Sequence, residues 1–318
     1  MKQFKTALVT GGAGFIGSNI VRRLLDKGMD VVVVDDLSTG KRENVPDVAT
    51  FIESDILDGD RLHQILLDHE IEVVFHEAAH VSIRNSFDQL MRDTRTNVLG
   101  TVSVLNSCRE TAVRKIIFAS SMAVYADTAK PEPVTEDHLT KPISAYGISK
   151  LAAEKYCLLV TQQMGISCVV LRYFNTYGIG QALTPYVGVI TIFVHKLLRG
   201  ETIDIFGDGE QRRDFIHVSD VTEANIRAME RSLDGETINV GTGAGTSVKE
   251  LASMLISRIS PGIKPNYVER RPEEHRNSIA EMTKAKRLLS FSPKECLARR
   301  INEVVDHYRQ ESVRSGSS

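Results

Sequence analysis

In the segment ISAYGISKLAAEK, residues 143–155, Tyr146 and Lys150 stand four positions apart at the start of an amphipathic helical pattern. Four residues is close to one helical turn, so the two side chains share a face and their tips converge on one point. An ammonium beside a phenol favours the phenolate and lowers its pKa toward the range of a working base. The same spacing also arises from a surface tyrosine and a surface lysine with no common role. The pair therefore takes its meaning from the elements that position it.

Those elements belong to a chain of 318 residues, enough for two domains or one large domain with a smaller lobe. Its 39 basic and 41 acidic residues are interspersed and 42% of the chain is hydrophobic, the balance of a protein with a full core. With no basic stripe, neither nucleic acid nor an anionic membrane is an expected partner. Cys108, Cys157, Cys168 and Cys296 lack metal-ligand spacing and read as thiols in a reducing compartment. No apolar run reaches membrane-spanning length, and a strand-like run begins almost at the N-terminus. The expectation is a cytoplasmic protein without a signal peptide.

Short apolar runs rich in β-branched residues alternate with helical patterns through the first half. TALVT (6–10), DVVVVD (30–35), EVVFHEAA (72–79), KIIFASS (115–121) and SCVVLRY (167–173) read as strands covered on both faces, with a further strand-like run before Asp55. Helical patterns fill 15–27, 60–69, 94–111 and 146–163. This alternation predicts an α/β fold of Rossmann type: a doubly wound parallel sheet with a smaller C-terminal substrate-binding lobe. Residues 1–175 form the expected nucleotide-binding domain and 176–318 most of the second lobe, with TINV (237–240) returning to the main sheet. The terminal ESVRSGSS reads as a frayed tail.

At the first strand-to-helix turn, VTGGAGFIGS places Gly11, Gly14 and Gly17. Glycine suits a tight turn, lets the backbone approach a pyrophosphate, and leads into a helix N-terminus whose N–H groups and dipole attract that anion. The spacing is GxxGxxG, and the strand before and helix after it favour a nucleotide site over a purely structural turn. Asp35 ends the second strand, where a carboxylate accepts hydrogen bonds from an adenosine ribose and repels a 2′-phosphate, which favours NAD over NADP. Asp35 or Asp36 could equally be a plain turn residue. Asp55, at the next strand end, either reaches the adenine or caps a helix.

Ser120 and Ser121 then close the KIIFASS strand on the carboxyl edge, where open α/β sheets bind ligands. The turn, the strand-end serine and YxxxK together resemble the extended short-chain dehydrogenase/reductase family, and within it the nucleotide-sugar epimerases of the UDP-glucose 4-epimerase type. The resemblance runs along nearly the whole chain through VFHEAAHVSIRNS, TNVLGT, AYGISK, LRYFNTYG, IFGDGEQRRDFIHVSDV and ERRPEEHRNSIAE, all in family order.

That resemblance implies a catalytic Ser121, Tyr146 and Lys150, with NAD as cofactor and a UDP-sugar as substrate. Phe15 and Ile16 would offer backbone amides to the pyrophosphate, Asp35 the ribose contact, and Asp55 with Ile56 the adenine contact. Ala78, Ala79 and His80 would run beside the pyrophosphate and nicotinamide ribose, with Asn97 positioning them. Asn175, Arg213 and Arg271 would take the sugar-nucleotide diphosphate, for which the planar arginine fork is suited. Glu274 would hold the nucleoside ribose, and Ser82, Val189 and Phe206 would join the substrate site. Ser278 would face the sugar's C2 substituent. The implied reaction is 4-epimerisation through transient oxidation to a 4-keto sugar.

Relatives that are 4,6-dehydratases or decarboxylases carry an acid just after the strand-end serine, where this chain has Met122 and Ala123. A UDP-glucuronate epimerase and a non-catalytic NAD-binding sensor are the other readings weighed. Family members pair as homodimers through two helices, here 94–111 and 146–163, and Leu151, Leu158 and Leu159 are the candidate contacts.

Overall fold

The computed structural model describes residues 4–81, 89–181, 188–271 and 274–315. The near-continuous valine and isoleucine runs become the centre of a seven-stranded sheet. In chain order, β1 (Thr6–Thr10), α1 (Phe15–Asp26), β2 (Asp30–Asp35), β3 (Thr50–Glu53), α2 (Gly59–Asp68) and β4 (Val73–His76) form its first half. A helical run follows, made of α3 (Leu90–Asp93), a π-helical stretch (Thr94–Leu99) and α4 (Gly100–Ser107). Next come β5 (Lys115–Ser121), α5 (Ala145–Met164), β6 (Ser167–Tyr173) and β7 (Asn175–Tyr177).

The main sheet has the order β10-β6-β5-β4-β1-β2-β3, where β10 is Glu236–Val240, and every pairing in it is parallel. The chain runs outward from β1 through β2 to β3, then returns to the other side of β1 for β4. The crevice between the carboxyl ends of β1 and β4 is therefore the topological switch point. Alternate strand residues feed two cores, as a two-residue period requires. Val9, Val33, Phe75 and Leu171 pack with α1 and with α7 (Val218–Glu230), while Leu8, Val32, Val74 and Phe118 pack with α2, α4 and α5.

The second lobe is built from α6 (Val189–Leu198), β8 (Asp204–Phe206), β9 (Arg212–His217), β11 (Gly245–Ser247), α8 (Val248–Ile259), β12 (Asn266–Val268), β13 (Asn277–Ser278) and α10 (Leu297–Ser315), while α9 (Thr283–Leu289) returns Ala285 and Leu289 to the main-sheet core. Its own core gathers Phe193, Val194, Ile205, Leu251, Ile301 and Val304. Strand β10 leaves this lobe to pair with β6, Ile238 lying opposite Leu171.

Three sequence expectations shift. The helix read as 94–111 starts earlier and stops at Ser107, because the chain must reverse into β5 and Glu110 takes a left-handed φ of 56° to do so. The strand read as 72–79 ends at His76, since Glu77 to Ala79 leave the sheet edge. The tail read as frayed from 311 is helical to Ser315, because α10 is anchored by the buried stripe Ile301, Val304, Val305 and Tyr308. Residues 316–318 lie outside the described residues, as does Ser82. Among the described residues no helix is long and apolar enough to cross a membrane and no cluster of metal-ligating side chains occurs. Cys108, Cys157 and Cys168 are buried free thiols and Cys296 is exposed.

Candidate active site

At the switch point Gly11 adopts φ 69°, and a Cβ there would lie 2.7 Å from the backbone nitrogen of Ala78. Only glycine lets the β1 turn and the segment after β4 approach this closely. Helix α1 begins at Phe15 and Ile16 with Gly14 as its N-cap and no side-chain cap, so its first amides are left for a ligand. Gly17 is buried in the first turn. Asp35 closes β2 beside this turn, its carboxylate accepting from the Ala13 amide at 2.9 Å and the Leu37 amide at 2.9 Å. Burial holds this carboxyl above its ordinary value, the two amides opposing the rise and the charge of Asp36 adding to it. A glycine turn, an uncapped helix start and an acid at the second strand end together fit a dinucleotide.

The neighbouring acids divide. Asp36 takes the Ser38 amide at 3.0 Å and the Ser38 hydroxyl at 2.6 Å, so it serves its own turn. Asp55 is exposed at the end of β3 and accepts from the Leu57 amide at 2.9 Å, with Ile56 buried beside it.

Beyond β4, Glu77, Ala78 and Ala79 cross the crevice to His80. Asn97 clamps this segment, accepting from the His80 amide at 2.8 Å and donating to the His80 carbonyl at 3.0 Å. The same Asn97 amide donates to Ser149 Oγ at 2.9 Å, which ties the segment to α5. His80 Nδ1 meets Asp93 Oδ1 at 2.6 Å in a buried pair. Beneath lies His76, pushed down to about 3 by burial with Lys150's charge acting the same way, and so neutral. It bridges Thr10 at 2.7 Å and Thr101 at 2.9 Å.

Ser121 ends β5, and its hydroxyl accepts from the Ala123 amide at 3.1 Å. Helix α5 starts one residue after Ser144, whose hydroxyl accepts from the Gly147 amide at 3.1 Å and so fixes the helix origin. Gly147 sits against the Ser121 loop; a Cβ there would come within 2.2 Å of the Ala123 carbonyl oxygen. This close approach sets the Tyr146 phenol near the Ser121 side chain, whose hydroxyl favours the phenolate. Lys150, one turn on, is buried with its ammonium 4.5 Å above the Phe118 ring.

The electrostatics differ from the expectation of a phenol lowered by Lys150. Burial pushes Tyr146 up to about 12, the Ser121 hydroxyl works against this, and the charges of Asp93 and Glu77 add to it. Burial likewise brings Lys150 down to about 8, with Glu77 the leading charge that opposes the fall. Tyr146 is thus held as the phenol, and positive charge beside it is what would favour loss of the proton.

On the lobe side, Asn175 opens β7 and its Oδ1 accepts from Ser278 Oγ at 3.2 Å. Ser278 lies opposite Arg213 in the β13–β9 pairing. Glu274 stands between two arginines, 3.7 Å from Arg213 and 3.3 Å from Arg271, and the Arg271 guanidinium lies 3.5 Å above the Phe206 ring. The structure therefore brings Asn175, Phe206, Arg213, Arg271, Glu274 and Ser278 together, with Val189 half-buried at the start of α6.

Two features escape a reading by motif. Glu77 is an acid inside the apolar run VVFHEAA, and Arg172 is a base inside SCVVLRY. A buried charge needs a partner, and that is the signal both offered. Arg172 forms a two-pronged pair with Glu154 at 2.9 and 2.8 Å, and Ser120 donates to the same carboxylate at 2.5 Å. This network braces the strand end that carries Ser121.

Residues 7–241 match the model of the NAD dependent epimerase/dehydratase family. The chain is 40% identical to the UDP-glucose 4-epimerase of Thermotoga maritima solved with UDP-glucose, at a TM-score of 0.92 with 96% of this chain and 99% of that one covered. It is 37% identical to the UDP-glucose 4-epimerase of Mycolicibacterium smegmatis, over 96% of this chain and 99% of that protein. A UDP-N-acetylglucosamine 4-epimerase from Methanobrevibacter ruminantium, solved with UDP-N-acetylmuramic acid, superposes at a TM-score of 0.90 and 34% identity, covering 98% of this chain and 100% of that one. With the turn, the serine and the tyrosine–lysine pair in place, the chain belongs to the NAD-dependent epimerase/dehydratase family and is an NAD-using enzyme of the epimerase type.

Proposed function

We propose that the protein interconverts the C4 epimers of a UDP-hexose, taking UDP-glucose and UDP-galactose and also their N-acetylated counterparts. NAD, when bound, supplies the hydride acceptor and donor. The chain's own part is proton handling and orientation. Tyr146 removes the proton of the C4 hydroxyl, Ser121 holds that hydroxyl by hydrogen bonding, and Lys150 supplies positive charge beside the phenol. Arg213 and Arg271 are suited to hold the diphosphate, leaving the sugar free to present either face at C4.

The observation that carries the substrate breadth is Ser278, a small residue bonded to Asn175 at 3.2 Å. A pocket that excludes an N-acetyl group does so by bulk, and this position has none. Against a glucuronate, TYGIGQ (176–181) offers no arginine to pair a C6 carboxylate. Against elimination chemistry, Met122 and Ala123 are buried apolar residues with no proton to move. Product analysis with UDP-glucose, UDP-N-acetylglucosamine and UDP-glucuronate tests the reading; turnover of the glucuronate alone would overturn it. Ser278→Tyr is expected to lower turnover of the N-acetylated sugar by roughly tenfold or more while sparing the plain hexose. An equal loss on both would remove the gate argument.

We also propose a homodimer formed through the helical run 90–107 and α5. Leu151 and Leu158 pack on the two cores and do not supply this face. Ile148, Tyr156 and Leu159, exposed at 59%, 45% and 57%, form a stripe on α5 at helical spacing, and Leu99 adds to the exposed apolar surface. Light scattering at micromolar concentration is expected to give twice the chain mass. Leu159→Glu is expected to shift the mass toward the single chain, and a wild-type monomer would refute the pairing.

A further inference from the structure

Glu77 is a half-buried acid that the proton handling above does not use. Its backbone nitrogen donates to the Thr10 carbonyl at 3.2 Å, which fixes the residue just past the end of β4 at the switch point. Its side chain is the end of a hydrogen-bond chain. The Asn225 Nδ2 group donates to the Val221 carbonyl at 2.9 Å and to the Tyr173 hydroxyl at 2.7 Å. The Tyr173 hydroxyl has two acceptors for its own proton, Asn225 Oδ1 at 3.0 Å and Glu77 Oε1 at 2.9 Å, and the charged carboxylate is the stronger of the two. Tyr173 and Asn225 are themselves buried, so the chain is held by packing from β6 and α7.

Glu77 directly follows His76, whose register partner across β4 and β5 is Phe118, the ring 4.5 Å beneath the Lys150 ammonium, so the acid and the ammonium stand at one sheet edge. From α5, Lys150 and Tyr146 both sense the Glu77 charge, and Lys150 also faces Glu154 and Cys157 on its own helix. His76 lies beneath Lys150 from β4, and Asp93 acts on Tyr146 from the side of His80. A fully buried ammonium loses its proton readily unless an anion faces it. Glu77 heads the charges that do so here, and burial pushes its own carboxyl up to about 7.

We propose that Glu77 is a positioning residue of the active site: held by the Asn225–Tyr173 chain, its carboxylate is the counter-charge that keeps Lys150 cationic beside Tyr146. The proposal rests on the assignment of Tyr146 and Lys150 above and assigns no proton transfer to Glu77. The carboxylate carries a cost, because the same charge disfavours the Tyr146 phenolate. The site trades a harder phenol ionisation for an ammonium that keeps its charge up to about 8.

The test is Glu77→Gln, which still accepts from Tyr173 but carries no charge. In the full-length enzyme with NAD, the Lys150 titration is followed by NMR of isotope-labelled lysine, assigned by its loss in Lys150→Met. The expected result is a Lys150 midpoint lower by about one pH unit or more. The alkaline limb of kcat/KM should move to lower pH with it. Should Glu77→Gln not fold, Tyr173→Phe serves in its place. Without the Tyr173 donor Glu77 becomes neutral more readily, so the midpoint moves in the same direction by a smaller step. An unmoved Lys150 midpoint in a folded variant overturns the proposal, as does a uniform loss of rate with both limbs in place. Failure to turn over any UDP-sugar would overturn the function reading instead, and the NMR titration would still decide the role of Glu77.

Discussion

Tyr146→Phe is expected to keep the fold and the NAD content of the purified enzyme while cutting turnover on the order of 10²- to 10⁴-fold. The ring is buried, so phenylalanine fills the same space and loses only the oxygen. That oxygen is the group the Ser121 hydroxyl acts on, and the serine retains the Ala123 amide at 3.1 Å when the phenol is gone. Packing is therefore conserved and the ionisable atom is not. Steady-state rates with a UDP-sugar, alongside the absorbance spectrum for bound cofactor, check both halves. Turnover within a few-fold of wild type would sink the assignment of the base.

Lys150→Ala is expected to lower turnover near neutral pH on the order of 100-fold, with the remaining activity rising as pH rises. The phenol already stands at about 12 in the protein alone, because burial and the charges of Asp93 and Glu77 outweigh the Ser121 hydroxyl. Removing an adjacent cation makes ionisation harder still, so the acid limb of the rate profile moves to higher pH. In the wild type the ammonium itself is held near 8, and its loss of charge above that value should flatten the rate. A pH-rate profile of both enzymes from neutral to alkaline conditions decides the matter. Profiles of the same shape would mean that Lys150 acts through position alone.

What could be read in advance divides along a physical line. The parallel sheet was legible because strands buried on both faces must be apolar throughout, as DVVVVD and KIIFASS are. Gly11, Gly14 and Gly17 were legible as a turn because close approach of backbone to backbone restricts the residue type, Gly11 lying against Ala78 and the other two against Gly11. Tyr146 and Lys150 were legible as a spacing, and only the surrounding elements gave the spacing its meaning. The direction of the tyrosine's shift was not legible, because it is set by the depth of burial in the folded chain and by the charges of Asp93 and Glu77, brought from far away in the chain. Nor was the face of α5 that remains exposed, since Leu158 and Leu159 are adjacent in sequence and only the packing of the sheet separates them. The Glu154–Arg172 pair is intermediate: each residue was visible, and their meeting across two elements was not.

The π-helical stretch Thr94–Leu99 has a consequence for how this chain can change over evolutionary time. Asp93, Asn97 and Thr101 all point inward, to His80, to the His80 backbone and to His76. Along a regular α-helix, residues spaced four and eight apart drift around the axis by roughly 80° over that distance. The wider π turn accommodates an additional residue and lets the three stay in line. Deleting one residue here would restore regular α-helical hydrogen bonding and rotate Asp93 by roughly 100° away from His80. Local backbone stability and the geometry of the crevice thus favour opposite chain lengths. The number of residues between Asp93 and Thr101 is thus fixed by the inward contacts at both ends, whatever the outer face of this helix packs against.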